Sequence, residues 1–325
     1  MSTMTVLVTG AAGFVGHHLL RHLCDEAGDD RIVAWRRPGL RTLVGPRRPA
    51  PPGDRVAWSA VDLLDREAVA HAVAETAPDR VYHCAGVANV GGSWSNNYDT
   101  LRVNVLGTEH LLAGLRAQHS RARVLIPGSA LVYRPSASAI DETAALGPVS
   151  PYGLSKLAQE MLGQAAGVQD GLDVLITRSF THVGPGQALS YAASSFAEQL
   201  ARIEAGQHDP VLSVGNLDAR RDLTDVRDTV RAYRLLMDGG EPGTPYNVCS
   251  GVAHPIGEVL DGLLAHTTVD VTVRQDSDRN RPSDNPLLLG NHDRLTARTG
   301  WEPEITFAQM LTDLLDYWRG CITAV

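Results

Sequence analysis

The sequence predicts an α/β protein built on a doubly wound parallel sheet, with a smaller lobe formed by the C-terminal part of the chain. Short β-branched runs alternate with helical patterns from the N-terminus to about Arg178, as is typical of such a sheet. The first run, residues 5–8, has no charged side chain, as in strands buried on both faces. After Arg178 the patterns become shorter and less regular, so we expect a second, smaller lobe there.

The predicted elements follow one another at regular spacing. After the first strand, apolar residues recur at helical spacing from Phe14 to Leu23. Further strand candidates lie at residues 31–35, 55–61, 80–84, 123–126 and 172–177. Helical patterns lie at residues 65–76, 96–119, 152–168 and 225–237. The last of these helices is expected to pack back on the first domain.

Composition and charge exclude several classes of protein. The chain has 325 residues and a formal net charge of −8, with no long basic run, so nucleic acid is not an expected partner. Its four cysteines lie far apart without C-x-x-C spacing, which favours a reducing compartment over a disulfide framework or a metal site. Neither a stretch of about 18 apolar residues nor a basic leader region is seen. We therefore expect a soluble cytoplasmic protein that binds neither metal, membrane nor nucleic acid.

Three glycines stand directly after the first strand and open the first helix. Gly10, Gly13 and Gly16 allow a tight turn, and the helix N-terminus presents N–H groups and partial positive charge to a pyrophosphate. Phe14 and Val15, at the start of that helix, belong to the same predicted phosphate-binding loop. The strand–turn–helix context predicts dinucleotide binding by a Rossmann-type domain.

The end of the second strand indicates which dinucleotide binds. An acidic residue there holds the ribose 2′-hydroxyl of NAD, whereas arginine favours the 2′-phosphate of NADP. This chain carries Arg36 and Arg37 and no carboxylate, which predicts NADP(H); NAD stays possible if the two arginines form only a solvated turn. Asp62 and Leu63, after the third strand, are expected near the adenine, and Ala85, after the fourth, near the cofactor.

The segment SPYGLSK places Tyr152 and Lys156 four residues apart, and therefore on one face of a helix. A phenol with a pKa near ~10 is a poor acid–base group at neutral pH. A lysine ammonium one turn away favours the phenolate, so we expect it to lower the pKa of Tyr152. Ser129, at the end of the fifth strand, can hydrogen-bond the substrate oxygen that gains or loses the proton. Together the three residues predict a catalytic site.

With these motifs, the chain resembles the extended short-chain dehydrogenase/reductase family over nearly its whole length. The segments TGAAGFVG and YGLSK and the serine at position 129 carry the resemblance. It implies that Ser129, Tyr152 and Lys156 form the family's catalytic triad, and that Asn104, in LRVNVLGT, is its structural asparagine. By the same resemblance, the helices that hold Asn104 and Tyr152 are expected to form the four-helix interface of a homodimer.

Phrases in the C-terminal half resemble the branch of this family that acts on GDP-linked 6-deoxyhexoses. The phrases are TRSFTHVGPGQ, GNLDARRDLTDVRD, YNVCSG, RPSDNPLLLGN and TGWEPEI. A nucleotide diphosphate needs guanidinium groups, and Arg221 and Arg281 lie in these phrases, although each alone could be a surface ion pair. Asp284 is expected to accept hydrogen bonds from a ribose diol. Thr181, expected to contact substrate, replaces the asparagine that the branch usually carries before His182, which leaves the exact sugar and the base open.

The residue two places after Ser129 distinguishes the activities within that branch. Its 4,6-dehydratases carry a glutamate there for the elimination step, whereas this chain has Leu131. Leucine transfers no proton, so we expect NADPH-dependent reduction of the C4 keto group of a nucleotide-linked, by resemblance GDP-linked, 4-keto-6-deoxyhexose. The alternatives are a 4-epimerase or 4,6-dehydratase that recycles a tightly bound NAD(P), and a non-catalytic nucleotide-sensing or scaffold relative.

These assignments predict the domain boundaries. Residues 1–178, which hold the glycine loop and the triad, are expected to form the NADP-binding Rossmann domain, with residues 222–250 packing back on it. Residues 179–221 and 251–325 hold most of the substrate phrases and are expected to form the sugar-nucleotide-binding lobe.

Overall fold

The computed structural model describes residues 3–26, 28–39, 55–88, 90–276 and 285–323. The strands, numbered along the chain, are β1 (Thr5–Thr9), β2 (Arg31–Arg36), β3 (Val56–Ala60), β4 (Arg80–His83), β5 (Arg123–Pro127), β6 (Asp173–Ser179), β7 (Thr181–Val183), β8 (Val211–Val214), β9 (Arg220–Asp225), β10 (Pro245–Val248), β11 (Ala253–Pro255), β12 (Thr272–Gln275) and β13 (Leu287–Leu288). The helices are α1 (Phe14–Glu26), α2 (Arg66–Thr76), α3 (Val90–Ser93), α4 (Asn97–Leu101), α5 (Gly107–Ala117), α6 (Pro151–Asp170), α7 (Ala192–Glu204), α8 (Val226–Gly239), α9 (Ile256–Leu264), α10 (Asp293–Thr299) and α11 (Phe307–Thr323).

Seven parallel strands form the central sheet, in the order β10-β6-β5-β4-β1-β2-β3. One face is covered by apolar residues of α1, α8 and α10, and the other by apolar residues of α2, α5 and α6. Because both faces are buried, the inner strands are apolar on both sides, which is why they read as continuous apolar runs in the sequence. The predicted α/β fold with a Rossmann-type doubly wound sheet is confirmed.

The strand order reverses at β1, which has β2 on one side and β4 on the other. In such sheets the crossover helices diverge at this point and leave a crevice outside the carboxyl ends of the strands, where ligands bind. The loops after β1, β4, β5 and β6 therefore meet at this edge. The first three carry the glycine loop, Ala85 and Ser129, respectively, and the fourth leads directly into Thr181, the first residue of β7.

The predicted long helix over residues 96–119 is formed by α4, a π-helical segment at Arg102–Leu106, and α5. Asn104 lies within the π-helical segment and is fully buried. Its amide oxygen accepts a hydrogen bond from the Val87 N–H at 2.7 Å, and its amide nitrogen donates to the Val87 carbonyl at 3.1 Å and the Ser155 hydroxyl at 2.9 Å. Asn104 thus joins the loop after β4 to α6, the helix that carries Tyr152.

The smaller unit packs α7, α9 and α11 around one apolar cluster. Short strands cover it: β9 lies between β11 and β13 and also pairs with β7, while β12 pairs with β8. The chain passes between the two units several times, because β10 joins the central sheet and Leu295 and Trp301 pack in the cluster of α1 and α8. Among the described helices, none has both the length and the apolar composition required to span a bilayer.

Candidate active site

The loop between β1 and α1 has glycines where neighbouring backbone atoms lie very close to it. Gly10 has a φ of 64°, and a Cβ atom there would lie 2.5 Å from the Ala85 Cα. A Cβ atom on Gly16 would lie 2.3 Å from the Gly10 carbonyl oxygen. Side chains at these two positions are therefore excluded, and the N–H groups at the start of α1 face the crevice edge. This cradle fits a dinucleotide pyrophosphate, and Gly13, Phe14 and Val15 lie in the same turn.

The other predicted cofactor residues border the same crevice. Arg36 ends β2 and Arg37 follows it, and neither guanidinium has an ion pair among the described residues. Asp62 follows β3, where its carboxylate accepts a hydrogen bond from the Leu64 N–H at 3.0 Å. Leu63 packs against Gly107 of α5. Two guanidinium groups at the end of the second strand fit the 2′-phosphate of NADP(H).

Ser129 is held at the end of β5 by its glycine neighbour. The Gly128 N–H donates to the Thr177 carbonyl at 2.7 Å, and a Cβ atom at position 128 would lie only 2.3 Å from that oxygen. Ser129 is 7% exposed, and its hydroxyl oxygen accepts a hydrogen bond from the Leu131 N–H at 3.2 Å. The hydroxyl proton of Ser129 is thereby left for a partner on the crevice side.

Tyr152, in the first turn of α6, lies beside Ser129. Ser150 caps this helix by accepting a hydrogen bond from the Gly153 N–H at 3.0 Å, and Pro151 occupies the first helical position, where a missing N–H costs nothing. A Cβ atom on Gly153 would lie 2.4 Å from the Leu131 carbonyl oxygen. The start of α6 therefore packs directly on the 3₁₀ turn Ala130–Val132 and brings the Tyr152 phenol to Ser129.

The pKa of Tyr152 is raised, whereas the sequence motif predicts that it is lowered. Burial is the largest cause, and the neighbouring Tyr191 adds to it, while the hydrogen bond with Ser129 acts in the opposite direction. In the protein chain by itself the phenol is protonated at neutral pH. The lowering that we expected from Lys156 is not found, because the ammonium group of Lys156 is engaged elsewhere.

Lys156 is 8% exposed, and burial lowers its pKa to about 8. Its ammonium group donates a hydrogen bond to the Gln159 side-chain oxygen. Cys84, just after β4, lies close enough to favour the charged form of the lysine. The triad residues thus converge at the carboxyl edge of the sheet, with Ser129 and Tyr152 in contact and Lys156 one helical turn deeper.

The predicted substrate residues lie on the lobe side of the crevice. Thr181 begins β7 and pairs with Leu223 of β9, two residues after Arg221. The Arg221 guanidinium donates to the Arg220 carbonyl at 2.8 Å, and burial lowers the pKa of this group. Thr181 and Arg221 are therefore on neighbouring strands. The other two predicted substrate residues, Arg281 and Asp284, lie outside the described residues.

Two residues that were not predicted as site residues, Tyr191 and His182, also border the crevice. Tyr191, which precedes α7, donates its phenol hydrogen to the Ala88 carbonyl at 2.8 Å and so reaches across from the lobe to the loop after β4. His182 stacks on Phe14 with ring centroids 6.0 Å apart, and burial lowers its pKa to about 4. No spacing rule points to Tyr191, since its neighbours become apparent only when the lobe is folded.

The parallel sheet, the glycine loop and the Ser–Tyr–Lys arrangement define the class of the extended short-chain dehydrogenases/reductases. The buried carboxylates Glu142, Glu160 and Asp222 have protein partners: the Asn247 N–H, the Arg178 guanidinium and the Ser250 hydroxyl, respectively. The described residues contain no group of three or more His, Cys, Asp or Glu side chains that could hold a metal ion.

Comparisons with known proteins identify the family within this class. A family model described as GDP-mannose 4,6 dehydratase matches residues 7–314, so the chain belongs to that family. It is 36% identical over 321 residues to the GDP-6-deoxy-D-mannose reductase of Pseudomonas aeruginosa, with 98% of each chain covered. Among solved structures, it is similar to RMD from Pseudomonas aeruginosa complexed with NADPH, with a TM-score of 0.85, 34% identity, and 98% and 99% of the two chains covered. The UDP-glucose 4-epimerase of Thermus thermophilus in complex with NAD gives a TM-score of 0.83 at 28% identity, with 98% and 99% covered.

Proposed function

We propose that this protein is an NADPH-dependent reductase that converts the C4 keto group of a GDP-linked 4-keto-6-deoxyhexose to an alcohol. The single observation that carries the proposal is Leu131. It stands two residues after Ser129, packs in an apolar cluster with Ala130 and Val132, and cannot exchange a proton. The family includes dehydratases, and their elimination step requires an acid–base carboxylate near the sugar. Similarity to the reductase of Pseudomonas aeruginosa supports the same activity.

Tyr152 is the proposed proton donor of this reduction. NADPH, held by the proposed cofactor residues, would supply the hydride that reduces C4 of the sugar. Tyr152 gives its phenol proton to the oxygen that gains negative charge, which completes the alcohol, and the raised pKa keeps that proton available at neutral pH. Ser129 orients the carbonyl oxygen through its hydroxyl. Lys156 is proposed to bind the nicotinamide ribose.

The proposed cofactor is NADP(H), with NAD as a possible substitute. Arg36 and Arg37 are the proposed 2′-phosphate ligands, since their guanidinium groups have no ion pairs among the described residues. Gly10, Gly13 and Gly16 would hold the pyrophosphate. The solved RMD structure in complex with NADPH supports this choice, whereas the epimerase neighbour binds NAD.

The proposed substrate contacts are Ser129 and Thr181 for the sugar and Arg221 for the diphosphate. Arg281 and Asp284 stay predictions from the sequence. We also propose the domain division given above: residues 1–178 with 222–250 bind the cofactor, and residues 179–221 and 251–325 bind the sugar nucleotide. All four cysteines are unpaired, which supports a reducing, cytoplasmic location.

We propose that the protein forms a homodimer through α4, α5 and α6. Leu154, Met161 and Val168 of α6 are 50%, 60% and 89% exposed and stand seven residues apart, so they form one apolar stripe. Tyr98 and Leu106, on the adjoining helix, are exposed as well. Two copies of this helix pair would bury both stripes in a four-helix interface.

The proposal is tested by following NADPH absorbance with purified protein. We expect rapid oxidation of NADPH with GDP-4-keto-6-deoxy-D-mannose and none with GDP-mannose. NMR spectra of the product would then give its configuration at C4. Lack of oxidation with the keto sugar contradicts the proposal.

The second candidate function, a 4-epimerase or dehydratase that recycles its cofactor, is supported by the structural likeness to the NAD-bound epimerase. Such an enzyme keeps oxidised cofactor through purification and converts substrate without net NADPH use. The absorbance spectrum of the purified protein, together with product analysis in the absence of added cofactor, separates it from the reductase.

A further inference from the structure

A chain of buried polar side chains connects Lys156 to the strand that leads into the glycine loop. The Gln159 side-chain nitrogen donates to the Thr108 hydroxyl at 2.7 Å, and the His83 Nε2 lies 2.9 Å from the same hydroxyl. The His83 Nδ1 lies 2.8 Å from the Thr9 hydroxyl. All these residues are at most 2% exposed, apart from Lys156 at 8%. In order, the chain runs through Lys156, Gln159, Thr108, His83 and Thr9.

The direction of these hydrogen bonds follows from the hydroxyl of Thr108. Its single hydrogen is donated to the Asn104 carbonyl, 2.7 Å away. The oxygen of Thr108 must therefore accept from both neighbours, which fixes Gln159 with its NH₂ group toward Thr108 and fixes His83 with its hydrogen on Nε2.

The hydrogen bonds at the other end of this series, at His83 and Thr9, also have fixed directions. With a hydrogen on Nε2, neutral His83 accepts at Nδ1 from the Thr9 hydroxyl, whose oxygen accepts from the Ala85 N–H at 3.3 Å. Burial, with the charge of Lys156 as the second cause, lowers the pKa of His83 to about 3 and so keeps it neutral. Each of these hydrogen bonds thus has a fixed direction, and Gln159 presents its side-chain oxygen to Lys156.

We propose that Gln159 is a positioning residue for the reaction, whose side-chain oxygen holds the Lys156 ammonium group at the end of β4, against the proposed cofactor site. This inference rests on the proposed function, in which Lys156 acts as a cation on the nicotinamide ribose. The motif Y-x-x-x-K does not include position 159. The helix nevertheless puts it on the same face as Lys156, one turn further from Tyr152.

The inference predicts opposite changes in two variants. Removing the acceptor, as in Gln159→Met, destabilises the ammonium form, so the pH at which Lys156 loses its proton falls. Introducing a carboxylate, as in Gln159→Glu, stabilises the ammonium form, so this pH rises. The titratable groups near Lys156 are His83 and Cys84 at the end of β4. On its own helix, Tyr152 stands one turn before it and Glu160, paired with Arg178, one turn after it.

The measurement is the pH profile of kcat together with the pH dependence of NADPH affinity, measured by fluorescence. We expect the alkaline limb of both profiles to move to lower pH by about one unit in Gln159→Met, and to higher pH in Gln159→Glu, as the loss or gain of a charged hydrogen bond implies. At neutral pH, Gln159→Met should lower kcat about tenfold or more. The KM for the sugar nucleotide should not change. Gln169→Met, an exposed glutamine on the same helix, is the matched control and should behave as the wild type.

Shifts in the same direction in both variants, or unshifted limbs, overturn the inference, as does a faster Gln159→Met enzyme. If Gln159→Met does not fold, Thr108→Val and Thr108→Ser replace it. The valine should shift the alkaline limb to lower pH, and the serine, which keeps the hydroxyl, should restore it. A wild type that binds NADPH but does not reduce the keto sugar contradicts the proposed function alone, because the affinity profiles still test the role of Gln159.

Discussion

Tyr152 is the proposed proton donor, so its protonation state matters to the proposed reaction. Burial and the adjacent Tyr191 raise its pKa, and the hydrogen bond with Ser129 only partly offsets them. A protonated phenol next to an orienting hydroxyl is the arrangement that proton donation requires.

We therefore expect Tyr152→Phe to lower kcat about a hundredfold to ten-thousandfold, the usual contribution of a positioned acid. The binding of NADPH should be retained, because the ring is kept. Steady-state rates with the keto sugar nucleotide and a fluorescence titration with NADPH measure the two effects. Tyr98→Phe, at an exposed tyrosine, should have no effect, and full activity of Tyr152→Phe would contradict the assignment.

Gly153 controls the distance between Tyr152 and Ser129. In Gly153→Ala, the added Cβ atom would lie 2.4 Å from the Leu131 carbonyl oxygen, so the first turn of α6 must move away from the 3₁₀ turn. A displacement of about 1 Å lowers catalytic rates on the order of a hundredfold. We expect a loss of this size in kcat with the fold intact by circular dichroism.

The matched control is Gly167→Ala in the same helix. There the nearest atom to the added Cβ, the Leu172 carbonyl oxygen, is at an ordinary contact distance of 3.5 Å. Activity should be unchanged in this variant. Equal losses in both variants would mean that helix propensity, not the contact with Leu131, is responsible.

Helix α6 combines three roles. One face carries Tyr152, Lys156 and Gln159 toward the crevice, and another exposes the apolar stripe proposed to pair with a second copy. Glu160, one turn beyond Lys156, is 1% exposed and binds the Arg178 guanidinium of β6 through both carboxylate oxygens, at 2.6 and 3.0 Å. This buried ion pair fixes the helix on the strand beside β5, and so fixes Tyr152 relative to Ser129.

We expect Glu160→Gln to lower the free energy of unfolding by about 3–5 kcal/mol, because the Arg178 charge then stays buried without its counterion. Urea denaturation followed by circular dichroism measures the change. Asp316→Asn removes a carboxylate from an exposed pair with Arg319 and should cost less than about 1 kcal/mol. Similar midpoints for Glu160→Gln and the wild type would show that α6 is held mainly by apolar packing.

The two units of the molecule are joined by a segment of the polypeptide that returns from the lobe to the central sheet. After the lobe strands β7, β8 and β9, the chain forms α8 and then β10, the seventh strand, beside β6. His182 and Tyr191 reach from the lobe to Phe14 and Ala88 of the cofactor side. The crevice is therefore enclosed by both units, as expected for an enzyme that must bring a cofactor and a sugar nucleotide together.

The proposed dimer gives a prediction for the assembled molecule. Met161→Glu places a charge in the middle of the exposed stripe of α6, so we expect this variant to sediment as a monomer while the wild type sediments as a dimer. Analytical ultracentrifugation distinguishes the two. Val273→Glu, at an exposed position on β12 of the lobe, should stay dimeric. A monomeric wild type, or a dimeric Met161→Glu protein, would contradict the proposed interface.

Much of the fold could be predicted from the sequence, and the individual elements show why. The strand predicted at residues 31–35 is β2, Arg31–Arg36, and the helix predicted at residues 152–168 is α6, Pro151–Asp170. Both were predictable because a continuous apolar run in β2 and a helical periodicity in α6 reflect which side chains are buried within one segment. The π-helical segment around Asn104 was not, since it depends on contacts with Val87 and Ser155.

What the sequence by itself determined is the fold class, the family, and the nearest group of enzymes within that family. These rest on short segments whose spacing sets their geometry, such as the glycine loop and the four-residue separation of Tyr152 and Lys156. Only the tertiary structure decided that β10 is the seventh strand, that the pKa of Tyr152 is raised, and that Gln159 holds Lys156. Each of these depends on burial and on pairings between distant parts of the chain, which local pattern does not contain.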